Sequence, residues 1–170
     1  VVGSNGKTTT KEMIAAIFRE AAGAAHVLAT RGNFNNAIGM PLTLLGLSDA
    51  HRLAVVEIGM NHRGETAELA RIAQPTIVVI TNAQREHQEF MRSVDDVARE
   101  HADAIAALRP GGIAIVNADD AFADVWRGAA RAACATVIDF GLAQRAVVSA
   151  RYAPRDDGGE LELSTPHGDV

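Results

Sequence analysis

Apolar runs of strand length alternate along the chain with longer stretches of helical period. The runs are His26 to Thr30, Leu53 to Ile58, Thr76 to Thr81, Gly112 to Asn117 and Thr136 to Phe140. Between the opening residues and the first run, Thr8 to Ala22 sets Met13, Ile14, Ile17, Phe18 and Ala21 at steps of three and four, which predicts a helix whose apolar face packs on a sheet. Further helices are predicted over Gly64 to Ala73, Ser93 to Leu108 and Asp119 to Ala132, and Pro110-Gly111-Gly112 cannot continue the second of these. Strand then helix, repeated, predicts an α/β fold with a doubly wound, mostly parallel sheet. Ile77-Val78-Val79-Ile80 is apolar at every position, as a strand covered on both faces should be. After Phe140 the pattern changes: Val147 to Tyr152 and Glu160 to Ser164 flank Pro154-Arg155-Asp156-Asp157-Gly158-Gly159, which predicts a small antiparallel hairpin. Residues 1–140 therefore read as a parallel core and 141–170 as an antiparallel appendage. The chain opens on Val1-Val2 with no preceding Met, and so reads as a fragment cut inside a strand.

Composition narrows the class. The 170 residues are 48% hydrophobic and 22% charged, the proportions of a globular domain rather than a disordered or collagen-like chain. With 16 Lys and Arg against 21 Asp and Glu, the net charge of −5 gives no basic field for a phosphate backbone, so nucleic acid is not expected as a partner. No stretch reaches the roughly 18 to 20 unbroken apolar residues of a membrane span, and no signal peptide opens the chain. The single cysteine, Cys134, cannot form an internal disulfide, which fits a reducing cytoplasm. Cys134 lies in an Ala-rich stretch without a nearby base and reads as a packing residue.

Four loops carry the candidate chemistry. Gly3-Ser4-Asn5-Gly6-Lys7-Thr8-Thr9 stands between the opening strand and the first helix and reads as a phosphate loop. Its glycines let successive N–H groups turn toward one anion, the helix N-terminus adds positive potential, Lys7 reaches the terminal phosphates and the Thr8 hydroxyl can bind Mg²⁺. The usual G-x-x-x-x-G-K-[ST] spacing is only partly met, because Val occupies position 1. The second loop, Thr30 to Pro41, holds Asn33, Asn35 and Asn36, whose amides suit a sugar or peptide but are also ordinary turn residues. The third follows Glu57, a carboxylate at the end of an apolar strand and placed to ligate Mg²⁺ directly or through water. In that loop Glu65 and Glu68 read as charges that complement a helix dipole. The fourth, Asn82 to Phe90, contains His87, which could bind a metal or orient a phosphoryl group, with Gln84 as a second candidate. Loops at the carboxyl ends of the strands of a doubly wound sheet line its ligand crevice.

Taken together, Gly3-Ser-Asn-Gly-Lys-Thr-Thr, Gly32-Asn-Phe-Asn-Asn-Ala-Ile-Gly-Met-Pro-Leu-Thr-Leu-Leu and Glu57-Ile-Gly-Met-Asn-His-Arg-Gly-Glu resemble the Mur ligase family of bacterial cell-wall synthesis. Within it they are most similar to the member that adds D-alanyl-D-alanine. The first motif is shared with other Mur ligases and with folylpolyglutamate synthase, and the resemblance runs from Val1 to about Asp120.

The resemblance implies a phosphate-loop NTPase-like central domain of a three-domain cytoplasmic enzyme, monomeric as a full-length protein. Its N-terminal UDP-binding and C-terminal domains would lie outside these residues, so this fragment alone is expected to be inactive. The implied reaction joins D-alanyl-D-alanine to UDP-N-acetylmuramoyl-tripeptide through an acyl phosphate, with ATP and Mg²⁺. By resemblance, Gly3, Ser4, Asn5, Gly6, Lys7, Thr8 and Thr9 bind the nucleotide and Lys7 neutralises charge during transfer. Thr8 and Glu57 place one Mg²⁺ and His87 helps to hold a second. Thr30, Asn33, Asn35 and Asn36 contact the muramoyl-peptide, with Asn61 and Asn82 beside the metal site. Many relatives carry a carbamylated lysine on the helix after the fourth loop. The only lysines here are Lys7 and Lys11, and Arg99 or His101 falls near that place. The remaining alternatives are another ligase of the Mur or folylpolyglutamate type, and a phosphate-loop NTPase without ligase activity.

Overall fold

A computed structural model describes residues 1–86, 89–156 and 158–169. Helix α1 (Lys7–Ala22) follows the phosphate loop, and a short 3-10 turn at Ala24–His26 leads to β1 (Val27–Ala29). Then come α2 (Gly39–Leu44), β2 (Leu53–Val55), α3 (Glu65–Ala73), β3 (Ile77–Ile80), α4 (Val94–Ala106), β4 (Ile113–Asn117), α5 (Ala123–Ala132) and β5 (Thr136–Gly141). The chain ends in β6 (Val148–Arg155), β7 (Gly158–Thr165) and β8 (Gly168–Asp169).

β1 pairs in parallel with β2, while β3, β4, β5 and β6 follow one another in parallel register. Val1 and Val2 stitch these two runs together. Ile58 N donates to Val1 O at 3.0 Å on one side, and on the other Val2 N donates to Val79 O at 2.9 Å and Thr81 N to Val2 O at 3.1 Å. The opening segment thus lies between β2 and β3, and the loop that leaves it sits where chain order reverses across the sheet. Such a reversal opens the ligand crevice of a doubly wound fold. The expected hairpin is present, β6 against β7 with Ser149 opposite Ser164, but Phe140 and Gly141 also pair with Val148 and Ser149, so the hairpin continues the main sheet.

The core lies under β3 and β4, where Ile80, Val116, Val97, Ile105, Leu69 and Trp126 are sealed from solvent. Trp126 on α5 donates its indole N–H to Ala98 O at 2.9 Å and so fixes α4 against α5. Ser93 caps α4 by accepting Asp96 N at 3.1 Å. α1 departs from expectation. Met13 and Ile17 are 63% and 64% exposed, Ala21 also faces solvent, and the buried residues are Lys11 and Ala15, with Ile14 and Phe18 half-buried. The apolar stripe is wider than the short β1–β2 pair beneath it, and Lys11, whose ammonium donates to Thr30 O at 2.8 Å, sets which edge turns inward.

Candidate functional site

The phosphate loop takes its shape from its neighbour strand. Gly3 has φ 135°, and a Cβ there would stand 2.0 Å from Thr81 Oγ1, so no other residue fits. The fourth loop then lies along the first like a template. Ser4 N donates to Asn82 O at 3.0 Å and Asn5 N to Asn82 Oδ1 at 3.0 Å. In return Asn82 Nδ2 and Thr81 Oγ1 both donate to Asn5 O, at 3.0 and 2.7 Å. Gln84 N donates to Ser4 Oγ at 2.9 Å, and Asn5 Nδ2 to Gln84 Oε1 at 2.8 Å. Lys7 Nζ folds back onto Gly3 O at 2.5 Å and Ser4 O at 3.2 Å. Its flexible stem lets it exchange these carbonyls for a phosphate.

Glu57 lies just beyond β2 and is 1% exposed. Its backbone N–H donates to Thr30 Oγ1 at 3.0 Å. Its Oε1 accepts Thr8 Oγ1 at 3.2 Å and Asn35 Nδ2 at 2.7 Å, while Oε2 is buried without a partner. An orphaned carboxylate oxygen beside a hydroxyl and a phosphate loop is the environment a divalent cation completes. Among the described residues no three His, Cys, Asp or Glu side chains converge. A cation here would rest on Glu57, Thr8 and ligand oxygens, a donor set that fits Mg²⁺. Asn35 is itself fixed: Gly59 N donates to its carbonyl at 2.8 Å, and a Cβ at Gly59 would press on its amide at 2.9 Å.

The expected residues divide. Gly3 to Thr8, Thr30, Asn35, Glu57 and Asn82 are drawn together by these contacts. Thr9 faces solvent on the first turn of α1. Asn36 caps α2, its Oδ1 accepting Ile38 N at 3.1 Å and Gly39 N at 2.8 Å, so part of its amide is committed to structure. Asn33 and Asn61 are exposed. The Asn61 and His62 amides donate to Glu65 Oε2 at 2.6 and 3.2 Å. Although burial pushes Glu65 upward, these hydrogen bonds and His62 hold its carboxyl below the usual range. His87 lies outside the described residues. Gln84 is exposed and engaged with Asn5.

A supporting ring surrounds these loops, and of its members only His101 stood out in the sequence. Asp120 Oδ2 accepts Ala83 N at 2.8 Å and Asn117 Nδ2 donates to Thr81 O at 2.9 Å, so the end of β4 holds the root of the fourth loop. Glu100 on α4 accepts Gly64 N and Thr66 N, both at 2.9 Å, and thereby caps α3. His101, the next residue on α4, reaches Glu86 and Ser4. Asp119 gathers the amides of Leu142, Ala143 and Gln144 at 2.6, 3.1 and 2.7 Å, which hold its carboxyl below the usual range against a smaller opposing effect of burial.

A glycine-bearing loop between a strand and the helix it feeds, at the reversal point of a parallel sheet and beside an orphaned carboxylate, defines an α/β domain of the phosphate-loop type. The chain belongs to the Mur ligase middle domain family, whose model matches residues 1–170. It is 42% identical over 128 residues to the UDP-N-acetylmuramoyl-tripeptide–D-alanyl-D-alanine ligase of Haemophilus influenzae, covering 75% of this chain and 28% of that enzyme. MurF from Acinetobacter baumannii superposes with a TM-score of 0.90 at 35% identity, covering 99% of this chain and 36% of that one. MurF ligase from Thermotoga maritima, solved in complex with ADP, gives 0.84 at 25% identity over 100% of this chain and 38% of that one. The chain therefore spans between 28% and 38% of the length of these proteins.

Proposed function

We propose that this chain is the central, ATP-binding domain of a ligase that joins D-alanyl-D-alanine to UDP-N-acetylmuramoyl-tripeptide, with UDP-binding and closing domains contributed by further sequence. The observation that carries the nucleotide half of this reading is the buried Glu57 with its orphaned Oε2 beside Thr8 and the phosphate loop. Similarity to the D-alanyl-D-alanine ligases supports the choice of substrates. Residues 1–140 would form the nucleotide-binding core and 141–170 its antiparallel extension. Among the described residues no helix is long and apolar enough to cross a membrane. We assign the enzyme to the cytoplasm as a monomer, with no nucleic-acid partner.

The chemistry follows from the poor leaving ability of a carboxylate oxygen. The tripeptide carboxylate attacks the γ-phosphorus of ATP and ADP departs, leaving an acyl phosphate. The dipeptide amine then attacks the acyl carbon, loses a proton, and phosphate leaves as the amide forms. Lys7 moves from Gly3 O and Ser4 O onto the β/γ-phosphates and neutralises charge as the phosphoryl group transfers. The free amides at the start of α1 and the helix dipole hold the same oxygens. Thr8 and Glu57 would hold Mg²⁺, with His87 a candidate for a second ion, and the metal would supply further charge neutralisation. Asn33, Asn35 and Asn36 offer amides to the muramoyl-peptide, with Asn61 and Asn82 beside the metal site, whereas Thr30 is buried with its hydroxyl bonded to Glu57 N and supports the site from beneath.

Phosphate release by the complete three-domain ligase tests this reading. With ATP, Mg²⁺ and UDP-N-acetylmuramoyl-tripeptide, sustained release should require D-alanyl-D-alanine and vanish in Lys7→Ala. Release indifferent to the dipeptide would favour a phosphate-loop NTPase instead.

A further inference from the structure

The contact between α4 and the phosphate loop is a candidate for a role in nucleotide binding. His101 is 2% exposed, yet it lies on the core stripe of α4, four residues from Val97 and four from Ile105, both buried. A histidine at such a position must be paired, because an unsatisfied buried ring nitrogen is costly. Its Nε2 stands 3.3 Å from Glu86 Oε1 and 3.5 Å from Ser4 Oγ. Ser4 has one hydroxyl hydrogen, and Glu86 Oε1 lies 2.9 Å away to accept it. The Ser4 oxygen in turn accepts Gln84 N at 2.9 Å. Gln84 O, at 3.3 Å, is the more distant acceptor for the Ser4 hydrogen, and with the Ser4 hydroxyl directed at Glu86, His101 Nε2 carries a hydrogen and donates to Glu86, which a neutral or a charged ring can do alike. The chain of contacts thus runs from the packed helix through a half-buried carboxylate to the phosphate loop.

We propose that His101 is a positioning residue for nucleotide binding: through Glu86 it fixes the Ser4 hydroxyl and so sets the shape of the phosphate loop before ATP arrives. The proposal rests on the nucleotide-binding role given above. Its physical basis is preorganisation. A glycine-bearing loop has many conformers, and a ligand that must order it binds more weakly. Trp126 supports the arrangement at a distance, since its bond to Ala98 O fixes the part of α4 one turn before His101.

The test is calorimetric titration of the complete ligase with ADP in the presence of Mg²⁺, alongside steady-state kinetics. His101→Leu removes the donor but keeps the apolar packing, and should weaken ADP binding by about tenfold. His101→Gln keeps an N–H near the Nε2 position and should restore binding to within about threefold of wild type. The stoichiometry of ADP binding and the KM for D-alanyl-D-alanine should not change in either variant, whereas loss of folded protein would lower the first and a general distortion of the site would alter the second. If His101→Leu fails to fold, Ser4→Ala, Glu86→Ala and their double variant carry the test. The two single effects should then be non-additive, because both break one relay. Equal ADP affinity in wild type and His101→Leu, or additive effects in the cycle, would overturn the proposal. Absence of ADP binding in wild type would instead overturn the nucleotide-binding role itself.

Discussion

Glu57→Gln separates the cost of the cation site from its use. In the folded protein without a cation, Glu57 Oε1 keeps the donors Thr8 and Asn35 while Oε2 is buried without any. A buried polar atom without a partner costs about 1–3 kcal/mol, and more when the group is charged. The carboxamide retains an oxygen for Asn35 and Thr8 and leaves a neutral N–H unpaired instead of a charged oxygen. The net gain should be about 1–2 kcal/mol, which in a domain of this size raises the melting temperature by about 2–8 °C. The assay is thermal unfolding in EDTA and again with Mg²⁺ and ADP. Wild type should gain about 2.7 kcal/mol at a hundredfold excess of ligand over Kd, and the variant far less. The two proteins should therefore exchange order of stability between the conditions. A variant that melts below wild type in EDTA and gains as much from Mg²⁺ and ADP would refute the reasoning.

Gly3→Ala forces a Cβ against Thr81 Oγ1 at a φ of 135°, and should cost about 3 kcal/mol or more, read from urea unfolding. Trp126→Ala empties a fully buried site and removes the indole donor to Ala98 O, for a loss of about 3–5 kcal/mol by the same measurement. Lys11→Met leaves Thr30 O without its donor in a buried setting and should destabilise by about 1–3 kcal/mol, whereas an exposed lysine would give nearly nothing. Asp119 has its folded pKa depressed, so its contribution is present above the ordinary carboxyl value of about 3.9 and is lost as pH falls through the lower folded value. Hydrogen exchange at Leu142 and Gln144 should therefore lose protection below that range, and Asp119→Asn should abolish the pH dependence.

Among the described residues, the alternation of apolar runs and helical periods located every strand of the parallel core and four of the five α-helices within a few residues. β3 occupies Ile77–Ile80 within the expected Thr76 to Thr81, with Val78 and Ile80 buried in the core, while Ile77 is exposed and Val79 half-buried, so its second face is less covered than a wholly apolar run implies. α2 went unread because it is short and contains Pro41, which a first-turn position tolerates. The orientation of α1 was misread because a lysine is normally outward-facing, whereas Lys11 is buried with its ammonium bonded to the distant Thr30 carbonyl and to the carboxylate of Glu12. Lys7, Thr8 and Glu57 were legible because their chemistry is local to a motif and a strand end. Glu86, Glu100, Asp119 and Asp120 were not, since their partners are hydroxyls, amides and rings far away in sequence. His101 did leave a signal: it shares the stripe of Val97 and Ile105, and a histidine on a core stripe needs a partner.

Acyl transfer through phosphate is the central claim, and isotope transfer tests it most directly. UDP-N-acetylmuramoyl-tripeptide carrying ¹⁸O in its terminal carboxylate would be turned over by the complete ligase with ATP, Mg²⁺ and D-alanyl-D-alanine. Attack of that carboxylate on the γ-phosphorus predicts that each phosphate released carries one oxygen from the peptide. Unlabelled phosphate would mean that water, not the peptide, takes the phosphoryl group, and would contradict the account.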